Sequence, residues 1–144
     1  RGNRRRGLRP GRQERLNPLN EKRRRATIIV EVEDGILLAI NAGNLVLLPG
    51  GGIHREELPI VAAARELHEE TGMVARALTF LFAHESPSNI HQVFFAVAEG
   101  EPIAADDARS LVFLKGAAVA SDFNLSLATR TILTKFEALR PSIR

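Results

Sequence analysis

The stretch from Gly51 to Met73 reads GGIHREELPIVAAARELHEETGM, and it decides how the chain can fold and what it can bind. Most of its residues are good helix formers, with Pro59 suited to the first turn and Gly72 to the position just past the last turn. These signals predict a helix from about Leu58 to Thr71. Apolar residues recur in it at spacings of three and four, which predicts a buried stripe of Ile60, Ala63, Ala64 and Leu67.

Three carboxylates of this helix, Glu66, Glu69 and Glu70, stand three and four positions apart. That spacing places them on one helix face, where they repel each other by a few tenths of a kcal/mol per pair. A surface helix gains nothing from this crowding, whereas a Mg²⁺ site needs hard oxygen ligands that it can share with substrate phosphates. We therefore predict a metal-binding face beside the apolar stripe; the alternative is a solvated acidic face.

The same stretch resembles the Nudix box, the signature of the Nudix (MutT-like) hydrolases. The pattern is Gly, five residues, Glu, seven residues, Arg-Glu, an aliphatic residue, any residue, Glu-Glu, any residue, Gly and an aliphatic residue. Its fixed positions are filled here by Gly51, Glu57, Arg65, Glu66, Leu67, Glu69, Glu70, Gly72 and Met73. A chance match in a chain of this size is on the order of 10⁻⁷ or less. Two variable positions depart from the common usage of the family. This chain has His54 where family members often have Glu, and Glu56 where they often have Gly.

The resemblance implies the fold class α/β (α+β), as a Nudix-type α/β/α sandwich around a mixed β-sheet. It also implies hydrolysis of a nucleoside diphosphate linked to another group, with Mg²⁺ or Mn²⁺ as the cofactor. By resemblance, Glu66, Glu69 and Glu70 are the metal ligands, and a backbone carbonyl of the Gly50–Gly52 segment, assigned to Gly50, completes the set.

Further roles follow from the same resemblance. The position of Glu66 is often argued to be the general base, Arg65 is expected to orient the carboxylates, and Glu57 to support the loop or an outer metal contact. The backbone of Gly51 and Gly52 is expected to lie against the substrate.

Two residues beyond the stretch are further candidates for substrate binding. Asp107 occupies a region where many family members carry a Glu that completes the metal site, and its alternative role is in a turn. Asn124 precedes the last predicted helix, where its amide could read a base, or could cap the helix instead. His84 and His91 flank a polar loop, near the substrate or simply within that loop. Any stacked base must rest on phenylalanine, because Trp and Tyr are missing; the candidates are Phe82, Phe94, Phe95 and Phe123.

Outward from the predicted helix, apolar and β-branched runs predict strands. They cover Ala26–Glu33, Ile36–Ile40, Leu45–Leu48, Ala77–Ala83, Gln92–Ala98 and Ser110–Leu114. Gly50–Gly52 predicts a loop where backbone can approach a ligand, and Glu85–His91 a polar loop. Leu125–Leu139 predicts a second amphipathic helix, with Leu127, Ile132 or Leu133, and Phe136 facing inward.

Charge divides the 144 residues into two parts. Residues 1–25 hold 11 Lys and Arg against two Glu, a net charge of +9, and we interpret them as an irregular basic arm. Residues 26–144 carry a net charge of −6 and form the predicted Nudix hydrolase domain. The arm could bind nucleic acid, or it could be a solvated tail or dock on the acidic body. No apolar run is long enough to cross a bilayer and no signal peptide is visible, so we expect a cytoplasmic protein without membrane contact.

The sequence thus predicts a Mg²⁺-dependent nucleotide pyrophosphatase whose partner is a small nucleotide. A (deoxy)nucleoside triphosphate or an oxidised nucleotide is the favoured substrate, because the chain is short and lacks a recognisable additional domain. Hydrolysis at the 5′ end of RNA, served by the basic arm, is an alternative, and a non-catalytic Nudix-fold nucleotide sensor is another. The oligomeric state stays open, with a homodimer among the options.

Overall fold

A computed structural model describes residues 21–116 and 122–143, with the backbone alone for residues 141–143. Residues 1–20 of the predicted basic arm lie outside the described residues. The strands are β1 (Arg23–Val32), β2 (Gly35–Ile40), β3 (Val46–Leu47), β4 (Gly50–Gly52), β5 (Val74–Glu85), β6 (Asn89–Glu99) and β7 (Ser110–Leu114). The helices are α1 (Pro59–Thr71) and α2 (Leu127–Ile143).

Strand β1 is the centre of a mixed sheet with the order β3-β2-β1-β6-β5. It runs antiparallel to β2 and parallel to β6, while β5 and β6 form a long antiparallel hairpin. Two strands lie off this path: β4 pairs antiparallel with β1, and β7 pairs antiparallel with β2. The predicted mixed sheet is therefore confirmed.

Both faces of the sheet are covered, which explains why β1 reads as an unbroken apolar run rather than an alternating one. Ile28 and Val30 belong to the core on the α1 face, and the intervening Ile29 belongs to the core on the other face. Helix α1 contributes Ala62, Ala63 and Leu67 to the first core, and α2 contributes Ile132, Leu133 and Phe136 to the second. The predicted α/β/α sandwich is confirmed. No helix of the described residues is both long and apolar enough to span a membrane.

The prediction for the buried face of α1 was wrong in part. Ile60 is 45% exposed, and Ala62 packs against the sheet together with Ala63 and Leu67. Glu70 is also buried, at 9% exposure, so one carboxylate of the acidic face points inward rather than lying beside the stripe. The physical reason is that small alanine side chains let the helix approach the sheet closely. The helix therefore packs on its alanine-rich face, which is rotated from the face that carries Ile60. The helix ends were predicted correctly, since Gly72 is left-handed (φ 75°) and its N–H donates to the carbonyl of His68.

Several other boundaries also differ from the prediction. Strand β1 starts at Arg23 rather than Ala26, because Arg23–Arg25 pair with Asn89–His91 of β6. The β5–β6 hairpin extends into the predicted polar loop, because His84 and Glu85 pair with His91 and Ile90, and this leaves a short turn around Ser86. The Gly50–Gly52 segment is a short strand, not a loop, because it pairs with β1. Helix α2 starts at Leu127, whose side chain is 75% exposed rather than facing inward.

Candidate active site

The acidic end of α1 and strand β4 border a cleft of about 510 Å³. The backbone of Gly50–Gly52 lines it, as do the side chains of Glu66 and Glu70 from α1 and Asp107 from the segment before β7. Arg25 is the only cationic residue among the described residues that line this cleft. Three carboxylates and one guanidinium therefore face one space, in surroundings that are partly shielded from water.

Glu70 is the most buried of these carboxylates. Its Oε1 accepts a hydrogen bond of 3.1 Å from the N–H of Gly50, which ties the helix to β4. Burial raises the pKa of Glu70 to about 7, and repulsion from Glu66 and Asp107 adds to this effect. Arg25 and the Gly50 N–H act in the opposite direction. A carboxylate in this environment is costly to ionise without a nearby cation.

The carboxylate of Glu66 lies against the backbone of β4 at Gly51, a residue without a side chain. A Cβ placed on Gly51 would overlap the carboxylate of Glu66, so glycine at this position is required for the observed arrangement. Burial raises the pKa of Glu66, and the hydrogen bond from Arg65 opposes that rise. The glycine of the box thus makes room for a glutamate of the same box.

Arg65 connects four groups through its guanidinium. Its Nε and Nη2 donate to the two oxygens of Glu57 at 2.7 and 2.9 Å, and Nη2 also donates to the carbonyl of Gly52 at 3.0 Å. Its Nη1 donates to Glu66 at 2.9 Å and to Glu69 at 3.2 Å. The hydrogen bonds from Arg65 lower the pKa of Glu57 to about 2. This network fixes Glu66 relative to the loop before the helix.

The loop before α1 is held by Glu57 as well. One of its carboxylate oxygens accepts the N–H of His54 at 2.8 Å. Glu56 has a left-handed backbone, with φ 66°, which is a conformation that glycine adopts without a steric penalty. The two departures from common Nudix usage therefore fall in the loop that presents Glu57, and neither His54 nor Glu56 lines the cleft.

Glu69 does not line the cleft in the described structure. Its side chain is 41% exposed on the flank of α1, where it accepts the hydrogen bond from Arg65. Among the described residues, no group of three Asp, Glu or His side chains converges closely enough to hold a metal ion. The structure brings Glu66 and Glu70 together with Asp107, and it places Glu69 beside them through Arg65.

Asn124 is not among the residues that line the cleft. Its side chain is exposed and donates to the carbonyl of Asn44 at 3.4 Å. It is not the cap of α2, because Ser126 immediately precedes the helix and its Oγ accepts the N–H of Thr129 at 3.0 Å. The backbone of Asn124 instead pairs with β3, where its carbonyl accepts the N–H of Val46.

Sequence reasoning missed Arg25 as a residue of the cleft, because it belongs to an arginine-rich run that composition assigns to the arm. Alternation along β1 was the available signal: Arg25 and Thr27 are two residues apart and share a face of the strand.

The structure locates the two histidines for which the sequence allowed a role either near the substrate or simply within the polar loop. His91 is buried, its Nδ1 lies 3.0 Å from Thr27 Oγ1, and burial lowers its pKa to about 4. His84 lies beside Lys135 at 3.0 Å.

The phenylalanines do not form a stacking wall in the cleft. None of the four candidates, Phe82, Phe94, Phe95 and Phe123, is among the described residues that line it. Phe94 is buried in the core on the α1 face, and Phe95 and Phe123 pack against the core on the α2 face. Phe82 packs there as well, below Lys135.

Comparison with known proteins agrees with this arrangement. The family model of the NUDIX domain matches residues 21–120. A Nudix hydrolase family member from Chromobacterium violaceum is 34% identical, with a TM-score of 0.76 over 84% of this chain and 80% of that chain. A MutT Nudix hydrolase from Burkholderia pseudomallei has the same fold, at 24% identity and a TM-score of 0.64 over 80% of this chain and 98% of that one.

A third structure shows the same fold with ligands. It is a bifunctional NMN adenylyltransferase/ADP-ribose pyrophosphatase from Francisella tularensis, complexed with AMP and a manganese ion. It is 22% identical, with a TM-score of 0.69 over 89% of this chain and 44% of that chain. Comparison with curated protein sequences gave no match. Since the family model spans more than two thirds of the chain, and Gly51, Glu66 and Glu70 of the box line one cleft, the chain belongs to the Nudix family of hydrolases, which cleave phosphoric anhydride bonds.

Proposed function

We propose that this hydrolase is a Mg²⁺-dependent pyrophosphohydrolase that cleaves a nucleoside diphosphate linked to another group, with a (deoxy)nucleoside triphosphate or an oxidised nucleotide as its substrate. The observation that carries the proposal is that Glu66, Glu70 and Asp107 line one cleft together with the backbone of Gly50–Gly52. A cleft of about 510 Å³ is in the range of small-molecule sites.

The donor atoms are of the kind that a hard divalent cation takes, although no three acidic side chains of the described residues converge closely enough to hold one as they stand. Glu66 and Glu70 offer carboxylate oxygens whose burial makes an unpaired negative charge costly, and a cation would relieve that cost. We assign these two as ligands, with Glu69 and the carbonyl of Gly50 as the remaining ligands. A bound Mg²⁺ supplies charge neutralisation at the diphosphate, which is what phosphoryl transfer needs most.

The chain's own residues then have distinct tasks. Glu66 accepts the proton of the attacking water as general base, while the water oxygen bonds to phosphorus and the anhydride bond to the leaving phosphate breaks. Arg65 holds Glu66 in place, and Glu57 holds Arg65, through the hydrogen bonds described above. The Gly51 and Gly52 backbone lies against the substrate, and Asp107 adds a further acidic group near Glu70.

A nucleotide panel tests this proposal. Oxidised and normal guanine triphosphates, a sugar nucleotide, a dinucleoside polyphosphate and a 5′-triphosphate RNA are assayed with and without Mg²⁺. We expect turnover of a triphosphate that requires the metal and falls by roughly 10²-fold or more in Glu66→Gln. Glu101→Gln, at an exposed glutamate outside the cleft, is the matched control. Equal rates in wild type and Glu66→Gln would contradict the assignment.

RNA 5′-end hydrolysis stays the second candidate, because residues 1–20 hold seven Arg and one Glu, a net charge of +6 against −3 on the remainder. Deleting residues 1–20 should leave mononucleotide turnover nearly unchanged. If RNA is the substrate, the same deletion should weaken RNA binding and flatten its dependence on salt. A folded deletion variant that no longer hydrolyses mononucleotides would show that the arm acts in the site. Base reading by Asn124, a cytoplasmic location and a homodimer stay predictions.

A further inference from the structure

Behind the cleft lies a second, smaller cavity of about 150 Å³. Its lining is mixed and largely uncharged, with Thr27, Ser86, His91 and Thr129 beside the apolar side chains of Leu47, Leu48, Ala128 and Ile132. The two cavities share Leu47, Leu48 and Arg25. Arg25 is therefore the one charged residue that borders both, within the part of the chain that the structure describes.

The position of Arg25 is fixed by the sheet. Its backbone lies between Gly52 of β4 and His91 of β6 in the strand register. The Nε of its guanidinium is buried and has no hydrogen-bond partner, and it is the only such side-chain atom among the described residues. A buried donor on a charged group is costly when unpaired, so the protein's own acceptors leave the Arg25 guanidinium incompletely compensated.

The other arginine near the site does not have this property. All three nitrogens of the Arg65 guanidinium donate to protein oxygens, on Glu57, Glu66, Glu69 and Gly52. Arg65 is thus occupied in holding the protein together. Arg25 feels the negative charge of Glu66 and Glu70, yet its Nε makes no bond to either carboxylate.

We propose that Arg25 is a substrate-binding residue whose guanidinium donates to a phosphoryl oxygen, where the carboxylate cleft adjoins the smaller cavity. A guanidinium matches phosphate geometry, and the remaining charges of the cleft are carboxylates that would repel an anion. This inference rests on the proposed function, because it assumes a phosphate-bearing substrate. It assigns to the chain a cationic phosphate contact that lies outside the Nudix box.

The test compares Arg25→Lys and Arg25→Gln with wild type and with Arg24→Gln. Arg24 is the adjacent residue on the same strand and is exposed, so its variant removes the same charge outside the site. Affinity for imidodiphosphate, a non-hydrolysable diphosphate, is measured by calorimetry at fixed Mg²⁺, and kcat and KM are measured on the best nucleotide. Circular dichroism and thermal melting establish that each variant is folded.

We expect both Arg25 variants to bind imidodiphosphate roughly 10- to 100-fold more weakly, with KM rising more than kcat falls, and Arg24→Gln to match wild type. Lysine should not rescue, because it keeps the charge but lacks the planar set of donors that a guanidinium presents to phosphate. Wild-type affinity in Arg25→Lys would overturn the proposal and leave Arg25 as a counter-ion of Glu66 and Glu70. The Lys variant also decides the matter if Arg25→Gln fails to fold.

Two further outcomes separate this inference from the proposed function. If no nucleotide is hydrolysed but imidodiphosphate binding still falls in the Arg25 variants alone, the proposed function fails and the phosphate contact stands. If wild type does not bind imidodiphosphate, or if Arg24→Gln weakens binding as much as the Arg25 variants do, the phosphate contact is refuted.

Discussion

The buried carboxyl of Glu70 makes the stability of the metal-free protein depend on pH in a predictable direction. Burial raises its pKa from the ordinary 4.5 to about 7 in the folded state. The folded protein therefore holds this proton more tightly than the unfolded chain does. The resulting stabilisation is fully present below pH 4.5 and is lost as pH rises through about 7.

The size of this contribution follows from the pKa difference. Each unit is worth about 1.4 kcal/mol, so a shift from 4.5 to about 7 corresponds to about 3 kcal/mol. Glu70→Gln keeps the shape and an oxygen that can accept the Gly50 N–H, but it cannot ionise. The difference in unfolding free energy between variant and wild type should therefore change by about 3 kcal/mol between pH 4.5 and 8, in favour of the variant at high pH. A constant offset from the glutamine amide does not affect this change.

The assay is thermal and urea unfolding in EDTA at several pH values between 4.5 and 8. In a chain of this size, a change of about 3 kcal/mol corresponds to roughly 10 °C in Tm. Glu69→Gln serves as control, because it removes a carboxylate from an exposed position of the same helix. Adding Mg²⁺ at pH 8 should stabilise wild type more than Glu70→Gln. Parallel pH curves for wild type and Glu70→Gln would refute the reasoning, since burial would then not perturb this carboxyl.

Two further predictions concern the cleft and the start of α2. Gly51→Ala places a methyl group against the carboxylate of Glu66, so kcat should fall on the order of 10²-fold. In Gly52→Ala the added methyl group meets open space, so kcat should fall much less. Steady-state kinetics of both variants tests this difference. Ser126→Ala should cost about 1 kcal/mol in unfolding free energy, because it removes the cap of α2, while Asn124→Ala should cost far less. Equal melting temperatures for Ser126→Ala and Asn124→Ala would contradict the capping assignment.

Most of the architecture could be predicted because its signals are local. The apolar run of β1, the proline and glycine at the ends of α1, and the spacing of the box residues each reflect a preference that a few neighbouring residues decide. The rotation of α1 was not predictable in this way. Which face of an alanine-rich helix is buried depends on how closely it packs on the sheet, and this put Ala62 inside and left Ile60 exposed.

The residues that the sequence did not reveal depend on contacts between distant segments. Arg25 enters the sheet because residues 23–30 pair with residues 89–96, a long-range register that composition cannot show. The cap of α2 was misplaced by two residues because Asn124 pairs with β3 and leaves Ser126 next to the helix. Asp107 could be named only as a candidate, because its proximity to Glu70 comes from the segment before β7.

The two arginines near the cleft illustrate how the same side chain serves different purposes according to its partners. Arg65 is fully hydrogen-bonded to protein oxygens, so its charge is already compensated and its geometry is rigid, as a group that orients carboxylates requires. Arg25 has a buried donor without a protein partner, which costs free energy in the folded protein, and the proposed contact with a phosphoryl oxygen would compensate the charge of its guanidinium. The rigid geometry of Arg65 and the unpaired donor of Arg25 are both ways to preorganise a site for its substrate.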